Sequence, residues 1–564
     1  MNNVLTGRFA PFFLLGFTLL MLLPGTGTLP LLDRDEPRFA TASREMAERS
    51  DWIIPTFNGH DRFDKPALSY WLMRCGYAIF GQNEFGARFP NVLCAAGLVL
   101  IVWWLGRQWF GAHTGWLAAI GLATCIQLFI HGRLALADMP MVLAITVIQL
   151  SLAALLFPAN RVWRPSVTPS TADGIAADHH DARGWWWALW VSVAVGFLAK
   201  GPITLAVPLV SLLLLRFAFW REPLPWHRLA AGRGSLLALA LIAVWGIPAL
   251  IVTDGRFFAV GIGEHVVKRG YEKFNGRSYN PFFYLTTAPL SLFPWIVFAP
   301  LAWFALKTRD IRHRWLASWL TAPYLIFTLY ATQLPHYVLP AFPAFFLLLG
   351  EGLNLPRPAW RRGGLIALTV FAVVVIIGLV VLQFRPLPDY ASMLRPAFSG
   401  LLIVVLGLLG IAGGTVAGGA KWLRAGLIGG GLGVAFGASL LATGLRSASL
   451  SISLPSRWTD APNEARFIGA GFTEPSLVFY SHRLWLNELT PAELAEEIAK
   501  PGPLVLVTVD RQIDPIHLFT GLDRWRVQTA PPAAVTLPGW TRQTLAGFNP
   551  GRTRWQELSV WRRD

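Results

Sequence analysis

Apolar runs long enough to cross a bilayer follow one another from residue 9 to residue 445, and nothing else in the 564-residue sequence restricts its fold as strongly. In hydrocarbon every backbone N–H and C=O must find its partner inside the chain, so such runs have to be helices or closed barrels, and their length selects helices. The runs lie at 9–31, 88–106, 114–131, 138–156, 185–199, 202–217, 235–252, 283–305, 315–331, 335–351, 364–383, 397–417 and 425–445. They predict a polytopic α-helical membrane protein with about thirteen transmembrane helices. Composition agrees: 54% of the residues are hydrophobic, and 26 Trp and 37 Phe suit bilayer interfaces and lipid-facing surfaces. Only Arg8 precedes the first run as an obvious cation and no small-residue cleavage site follows it, so the run reads as a retained span.

A net charge of +16 would point a soluble domain toward nucleic acid, but in a membrane chain it first means basic cytoplasmic loops. The short basic loops 216–233, 307–314, 357–362 and 421–424 share one side if the N-terminus is cytoplasmic. An odd number of spans then puts the C-terminal part outside. Loops 32–87 and 253–282 and the turn from Gln333 to His336 fall on the outer face. They nonetheless carry Arg34, Arg38, Lys65, Arg88, Lys268, Arg269, Lys273 and Arg277, a surplus that an anionic lipid head group explains. Segment 158–184, rich in Pro, Ser, Thr, Ala and Asp, reads as a mobile cytoplasmic loop; its Asp178-His179-His180-Asp181 run lacks the surrounding structure that orients metal ligands. Cys75, Cys94 and Cys125 lie in or beside apolar runs without zinc-site spacing and read as packing residues.

The chain divides into a membrane part, 1–446, and an α/β domain with soluble composition, 447–564. In the latter, "EPSLVFY", "GPLVLVTVD" and "TRWQELSVW" read as strands, and Thr490-Pro491-Ala492-Glu493 as a capping box opening an acidic helix to Lys500. It carries no G-x-G-x-x-G, P-loop, nucleophile-elbow or paired-Cys motif, so its expected role is to cover the outer face, bind an acceptor, or pack.

The densest charge near the N-terminus, Asp33-Arg34-Asp35-Glu36-Pro37-Arg38, stands directly behind the first span. Two short helices follow, an amphipathic one from Arg38 to Arg49 and an aromatic-rich one from Asp64-Lys65-Pro66 to Phe80. With "SREMAERSDWIIP", "DKPALSYW" and "FGQNEFGAR" beside it, this region resembles the polyprenyl-phosphate-sugar glycosyltransferases of the GT-C fold, in the protein mannosyltransferase-like group. Within that group the chain is most similar to bacterial transferases of 4-amino-4-deoxy-L-arabinose to lipid A, over the membrane part to about Gly350.

The resemblance implies a catalytic carboxylate at Asp35, which matches the family Asp, and a second at Asp138 in "HGRLALADMPMV". Asp138 opens an apolar run, where a charge is costly unless paired; Arg133 is its natural partner, and capping of the helix is the alternative reading. Helix capping fits Glu36 better than Asp35. Arg38, Lys65, Arg88 and Lys200 are the expected holders of the donor phosphate. Lys65 carries the family Lys-Pro match, and Lys200 interrupts an apolar run where only function or snorkelling justifies a cation. Tyr337 stands in a Leu-Pro-x-Tyr turn like the family's, with Gln333 where relatives often have Lys. His265, in a Glu-His pair at the matching family position, is a further donor-binding residue; with Glu84 it is also the expected ligand pair for a divalent ion such as zinc.

The expected partners are an undecaprenyl-phosphate-linked sugar donor and a lipid A or other glycolipid acceptor, with membrane lipids around a monomer and no nucleic acid. A protein or glycolipid hydroxyl is the alternative acceptor. A lipid-linked sugar flippase is the alternative class, disfavoured because the charges cluster at one interface and no internal hydropathy repeat is visible. The expected location is the bacterial inner membrane with the C-terminal domain periplasmic. Reporter fusions after Ser447 should therefore be active outside and fusions within 158–184 inside; cytoplasmic activity after Ser447 would overturn the outer-face assignment.

Overall fold

The computed structural model describes residues 9–32, 35–157, 174–220, 223–272, 279–307, 310–384, 392–513, 526–527 and 539–564. Among them, seven helices are long and apolar enough to cross a membrane: Glu84–Phe110, Asp138–Leu156, Trp226–Val252, Pro335–Asn354, Pro358–Phe384, Arg395–Ala417 and Ala420–Ala448. Phe283–Ser291 and Trp295–Leu306, bent by 108°, make an eighth if they cross as one. Ala10–Leu22 and Ile203–Phe219 are apolar but shorter. Other expected spans are interrupted: 114–131 breaks into Ala112–Ala123 and Ile126–His131.

The first apolar run is helical only over Ala10–Leu22 (α1), short of the expected 9–31. Gly25 at φ +76° turns the chain away, and a Cβ there would lie 2.7 Å from the Ala438 carbonyl oxygen, so only glycine permits this approach to Gly431–Ala448. The chain then enters α2 (Asp35–Glu48), whose first turn carries Asp35 and Glu36 at the positive end of the helix dipole. Phe39, Ala42 and Met46 form its buried stripe. They meet Tyr70, Met73 and Tyr77, spaced alike on α3 (Leu68–Phe80), and the Phe39 and Tyr70 rings stack at 5.2 Å. Between the two helices lies an antiparallel hairpin, β1 (Thr56–Phe57) and β2 (His60–Asp61), turned by Asn58 and Gly59, both at positive φ.

Next come α4 (Glu84–Phe110), capped by the Asn83 side chain, then α5 (Ala112–Ala123), α6 (Ile126–His131), α7 (Asp138–Leu156) and α8 (Gly174–Lys200). The chain is thus helical from Gly174, inside the segment expected to be loop; residues 158–173 and the Asp178–Asp181 side chains lie outside the described residues.

One ion pair fastens the start of α2, the start of α4 and the turn after α1. Arg88 is fully buried and spends all five N–H donors on protein oxygens: Nε and Nη2 on the two Glu36 carboxylate oxygens at 2.6 and 2.8 Å, Nη1 on the Thr26 and Leu29 carbonyls at 2.7 and 2.6 Å, and Nη2 on the Pro30 carbonyl at 2.7 Å. Glu36 also accepts from the Leu32 and Ala135 amides at 2.6 and 2.9 Å.

After Gly431–Ala448, the residues form a mixed sheet of order β4-β3-β5-β8-β7, from β3 (Arg466–Ala470), β4 (Trp485–Asn487), β5 (Leu504–Ile513), β6 (Arg526–Val527, on β5), β7 (Thr541–Asn549) and β8 (Arg554–Arg563). β3 runs parallel to β4 and β5, whereas β8 is antiparallel to β5 and β7. Alternation along β5 sends Val505 and Val507 into one apolar cluster and Leu504 and Leu506 into another, so both faces are covered. Two expected strands, "GPLVLVTVD" and "TRWQELSVW", lie in β5 and β8, and the capping box at Thr490 opens Pro491–Ala499. "EPSLVFY", however, is helical over Pro475–Ser481. Pro475 suits a first helical position, and the turn divides the run between two cores: Leu477 and Val478 join the sheet, while Phe479 reaches α2 and α3.

Arg88→Ala should leave a buried Glu36 carboxylate without its cation and cost on the order of 3–5 kcal/mol of stability. Thermal unfolding of purified protein in detergent measures it; an unchanged melting curve would show that the pair does not hold these segments together.

Candidate active site

Asp138 is the first residue of α7 and Lys200 the last of α8, and the two helices pack side by side. Each charge suits its helix end, a carboxylate at an N-terminus and an ammonium at a C-terminus. Gly201, at φ +79°, ends α8 immediately after Lys200. The Lys200 Nζ donates to Asp138 Oδ1 at 2.5 Å, with side-chain exposures of 15% and 6%. A pair so buried, yet left with an open edge on the lysine, remains able to touch a ligand.

The short helical turn Pro335–Ala341 brings two further groups. His336 Nε2 lies 3.8 Å from the same Asp138 oxygen, and the Tyr337 ring centroid lies 5.4 Å from Lys200 Nζ. From α6, the His131 ring stacks on His336 at 4.6 Å and 35°. The structure thus brings together Asp138, Lys200 and Tyr337, and adds His131 and His336, which no motif had singled out as site residues. Arg133, the expected partner of Asp138, turns elsewhere: it donates to the Pro24 carbonyl and lies over the Phe129 ring at 4.7 Å. Lys200 takes its place.

The second carboxylate lies on α2. Asp35 has 58% of its side chain exposed and faces Arg38 at 3.9 Å. Behind it, Arg62 is buried, pairs with Asp64 at 2.8 Å, donates to the Tyr70 hydroxyl at 3.1 Å and lies over Phe39 at 5.1 Å. Burial, partly offset by the Arg62 cation, pushes the Tyr70 phenol up to about 12, and the Asp64 and Asp35 charges act in the same direction as burial. Lys65 Nζ donates to the Asp64 carbonyl at 3.0 Å, which sets it in the same cluster.

Hydrogen bonds connect the two clusters. Glu36, adjacent to Asp35, accepts from Ala135, three residues before Asp138. Asn91 Nδ2 donates to the Leu134 and Leu136 carbonyls at 2.5 and 2.7 Å. Ser69 on α3 donates to the Ala199 carbonyl at 3.3 Å, beside Lys200.

Two expected site residues have other work. Arg88 has no donor left for a phosphate, because Glu36 and three carbonyls take all five. Glu84 accepts from Arg446 Nη1 at 2.7 Å and from the Tyr480 hydroxyl at 3.1 Å, an environment already neutralised by a guanidinium. The His265 side chain lies outside the described residues, among which no three His, Cys, Asp or Glu side chains gather as a metal site would require.

Residues 64–167 match the dolichyl-phosphate-mannose-protein mannosyltransferase family. The undecaprenyl phosphate-alpha-4-amino-4-deoxy-L-arabinose arabinosyl transferase of Pectobacterium atrosepticum is 29% identical over 354 residues, 61% of this chain and 59% of that one. Arabinosyl transferase 2 of Pseudomonas fluorescens is 30% identical over 398 residues, 68% of this chain and 67% of its own length. Crystal structures of ArnT from Cupriavidus metallidurans, bound to undecaprenyl phosphate and in the apo state, superpose with TM-scores of 0.71 and 0.72 at 19% and 20% identity, covering 98% of each chain. At that identity the superposition speaks for the fold alone. From the sequence match and the shared fold together, the chain belongs to the undecaprenyl phosphate-alpha-4-amino-4-deoxy-L-arabinose arabinosyl transferases, a family of membrane glycosyltransferases with the GT-C fold.

Proposed function

We propose that this chain moves 4-amino-4-deoxy-L-arabinose from undecaprenyl phosphate to a lipid A phosphate at the outer face of the bacterial inner membrane, with about thirteen spans and residues 447–564 on the periplasmic side. The observation that carries this reading is the Lys200–Asp138 pair, with Tyr337 beside it, where the end of α8 meets the start of α7. Transfer breaks the bond between the sugar C1 and the donor phosphate oxygen, and the electron pair stays on that oxygen. A preorganised cation at low dielectric is the group that stabilises such a departure. Lys200 supplies it, and Asp138 keeps the ammonium aimed. Arg38 and Lys65 are the cations of the outer cluster, suited to guiding anionic head groups.

A lipid A phosphate oxygen is already anionic near neutral pH and needs no general base. Asp35, exposed beside Arg38, is therefore read as the carboxylate that orients the donor by pairing with the ammonium of the aminosugar. Arg38 and Arg62 offset its repulsion of the phosphates.

Transfer by purified protein in detergent, followed by mass spectrometry of lipid A, tests the reading. A flippase would need an intact bilayer and would give no product. Lys200→Ala and Asp138→Asn should each lose a charge-assisted contact of about 1.5–3 kcal/mol, roughly a ten- to hundred-fold fall in kcat/KM. Full turnover in a well-folded Lys200→Ala variant would remove the pair from the reaction. Asp35→Asn should lose most transfer, while the wild-type pH-rate profile should lack an acidic limb from a single base between about pH 5 and 7. Such a limb, absent from residual Asp35→Asn activity, would point instead to a hydroxyl acceptor.

A further inference from the structure

Charge balance around Lys200 leaves a gap that the mechanism above does not fill. The groups that converge are one carboxylate, Asp138, one ammonium, Lys200, and two imidazoles, His131 and His336. Lys200 is already matched by Asp138. A donor phosphodiester adds one negative charge, and after C1–O cleavage the departing phosphomonoester carries a second. In a site this buried, uncompensated charge is expensive, and proton uptake by a neighbouring group is the usual remedy.

The imidazoles are the side chains of this cluster suited to it near neutral pH. His336 keeps 18% of its side chain exposed while lying 3.8 Å from Asp138 Oδ1, and among the described residues it makes no hydrogen bond. His131 stacks on it and is steadied by Gln127, whose Nε2 lies 3.1 Å from His131 Nδ1. The Tyr337 and His336 rings stand at right angles with centroids 5.1 Å apart, and Tyr284 is the phenol close enough to interact with Tyr337. Asp138 and Lys200, a carboxylate and an ammonium, are the charged groups facing the imidazoles.

We propose that the stacked His131–His336 pair takes up a single proton as negative charge builds on the departing phosphate, and gives it back when the lipid phosphate leaves. Two imidazolium ions at 4.6 Å would repel, so the pair holds one proton in common. Water supplies that proton; the sugar bond breaks with its electrons passing to the phosphate oxygen, and no redox step is involved. The inference rests on the donor reading above.

Calorimetric titration of the full-length protein in detergent with undecaprenyl phosphate, in buffers of different ionisation enthalpy between about pH 6.5 and 8, measures the coupled proton directly. Uptake should approach one proton per lipid, with affinity rising toward tenfold for each unit of falling pH. The lipid phosphate can itself take up a proton, so His336→Gln and His131→Gln are the deciding variants. Each should bind with a flatter pH dependence, and uptake should fall to the phosphate's own share. His336→Gln, at the more exposed ring, keeps the test available should the buried His131 variant misfold. Unchanged uptake in a folded His336→Gln protein would overturn the proposal alone. No binding of undecaprenyl phosphate by the wild type at any pH would overturn the donor reading, and the proposal with it.

Discussion

The Glu36–Arg88 pair is the fastening on which the arrangement of α2, α4 and the start of α7 depends. Two fully buried charges lose most of their hydration, and their mutual attraction repays that only when every remaining donor and acceptor is satisfied. Here that condition is met, because Arg88 meets five acceptors and Glu36 receives two backbone amides besides the guanidinium. The carbonyls belong to the turn after α1, the carboxylate to α2, and one amide to the loop that leads into α7. The pair thereby ties three parts of the chain together: the stretch from Thr26 to Glu36, Arg88 on α4, and, through Glu36, the loop that carries Ala135. It also fixes both candidate carboxylates, since Asp35 is the neighbour of Glu36 and Asp138 follows Ala135 by three residues. Exposure of Asp35 and burial of Glu36 are two consequences of one helix start.

The C-terminal residues rest on α2, the β1–β2 hairpin and the start of α4 through polar contacts with little freedom to slide. Arg44 on α2 donates to the Phe479 and Val478 carbonyls at 2.7 and 3.3 Å and stands 3.2 Å from His482 Nδ1. Burial and the Arg44 cation push the His482 imidazole below its ordinary value, which leaves it a neutral acceptor for that guanidinium. Asn58, at the tip of the β1–β2 hairpin, exchanges a pair of hydrogen bonds with the Trp485 backbone at 2.7 and 2.8 Å. Tyr480 accepts from the Leu31 amide at 2.9 Å and donates to Glu84. Glu84 thus belongs to the seam between the sheet-bearing residues and the membrane helices, and Arg446 supplies its charge balance from the last membrane helix.

Contacts within a few residues could be read from the sequence; those made across the chain could not. The longer apolar runs, the acidic start of α2 and the Thr490 capping box are local patterns and appear near where their spacing puts them, whereas the runs 9–31 and 114–131 are cut short by turns that their hydropathy does not show. Lys200 stood out because an ammonium inside an apolar run needs a reason, and its contact with Asp138 supplies one. Arg133 was the nearer cation in sequence, but folding carries it to Pro24, and no local pattern reports that. Arg88 looked like another outer-face cation, since nothing in its surroundings announces the carbonyls of 26, 29 and 30. The Asn58-Gly59 hairpin did carry a signal, but two-residue strands are too short to show an alternating pattern. His131 and His336 meet only when α6 and the Pro335 turn pack together, so their pairing is a product of the fold.

A salt bridge at the junction of two helices is a weak source of stability, because leucines of equal volume would pack there without any desolvation cost. The sequence instead keeps the ammonium partly open, sets a tyrosine ring over it, and places two imidazoles beside the carboxylate, His336 facing the same oxygen as Lys200. Each of these choices is unfavourable for a purely structural pair and favourable for one that receives an anion. In the proposed reaction an incoming phosphate would compete with Asp138 for Lys200, and the histidines would offset the carboxylate as its partner is drawn away. Asp138 would then keep its buried position, and the cation its placement, through arrival and departure of the phosphate. The fastening at Arg88 makes this possible, since it holds the α7 start while the charges beside it change partners.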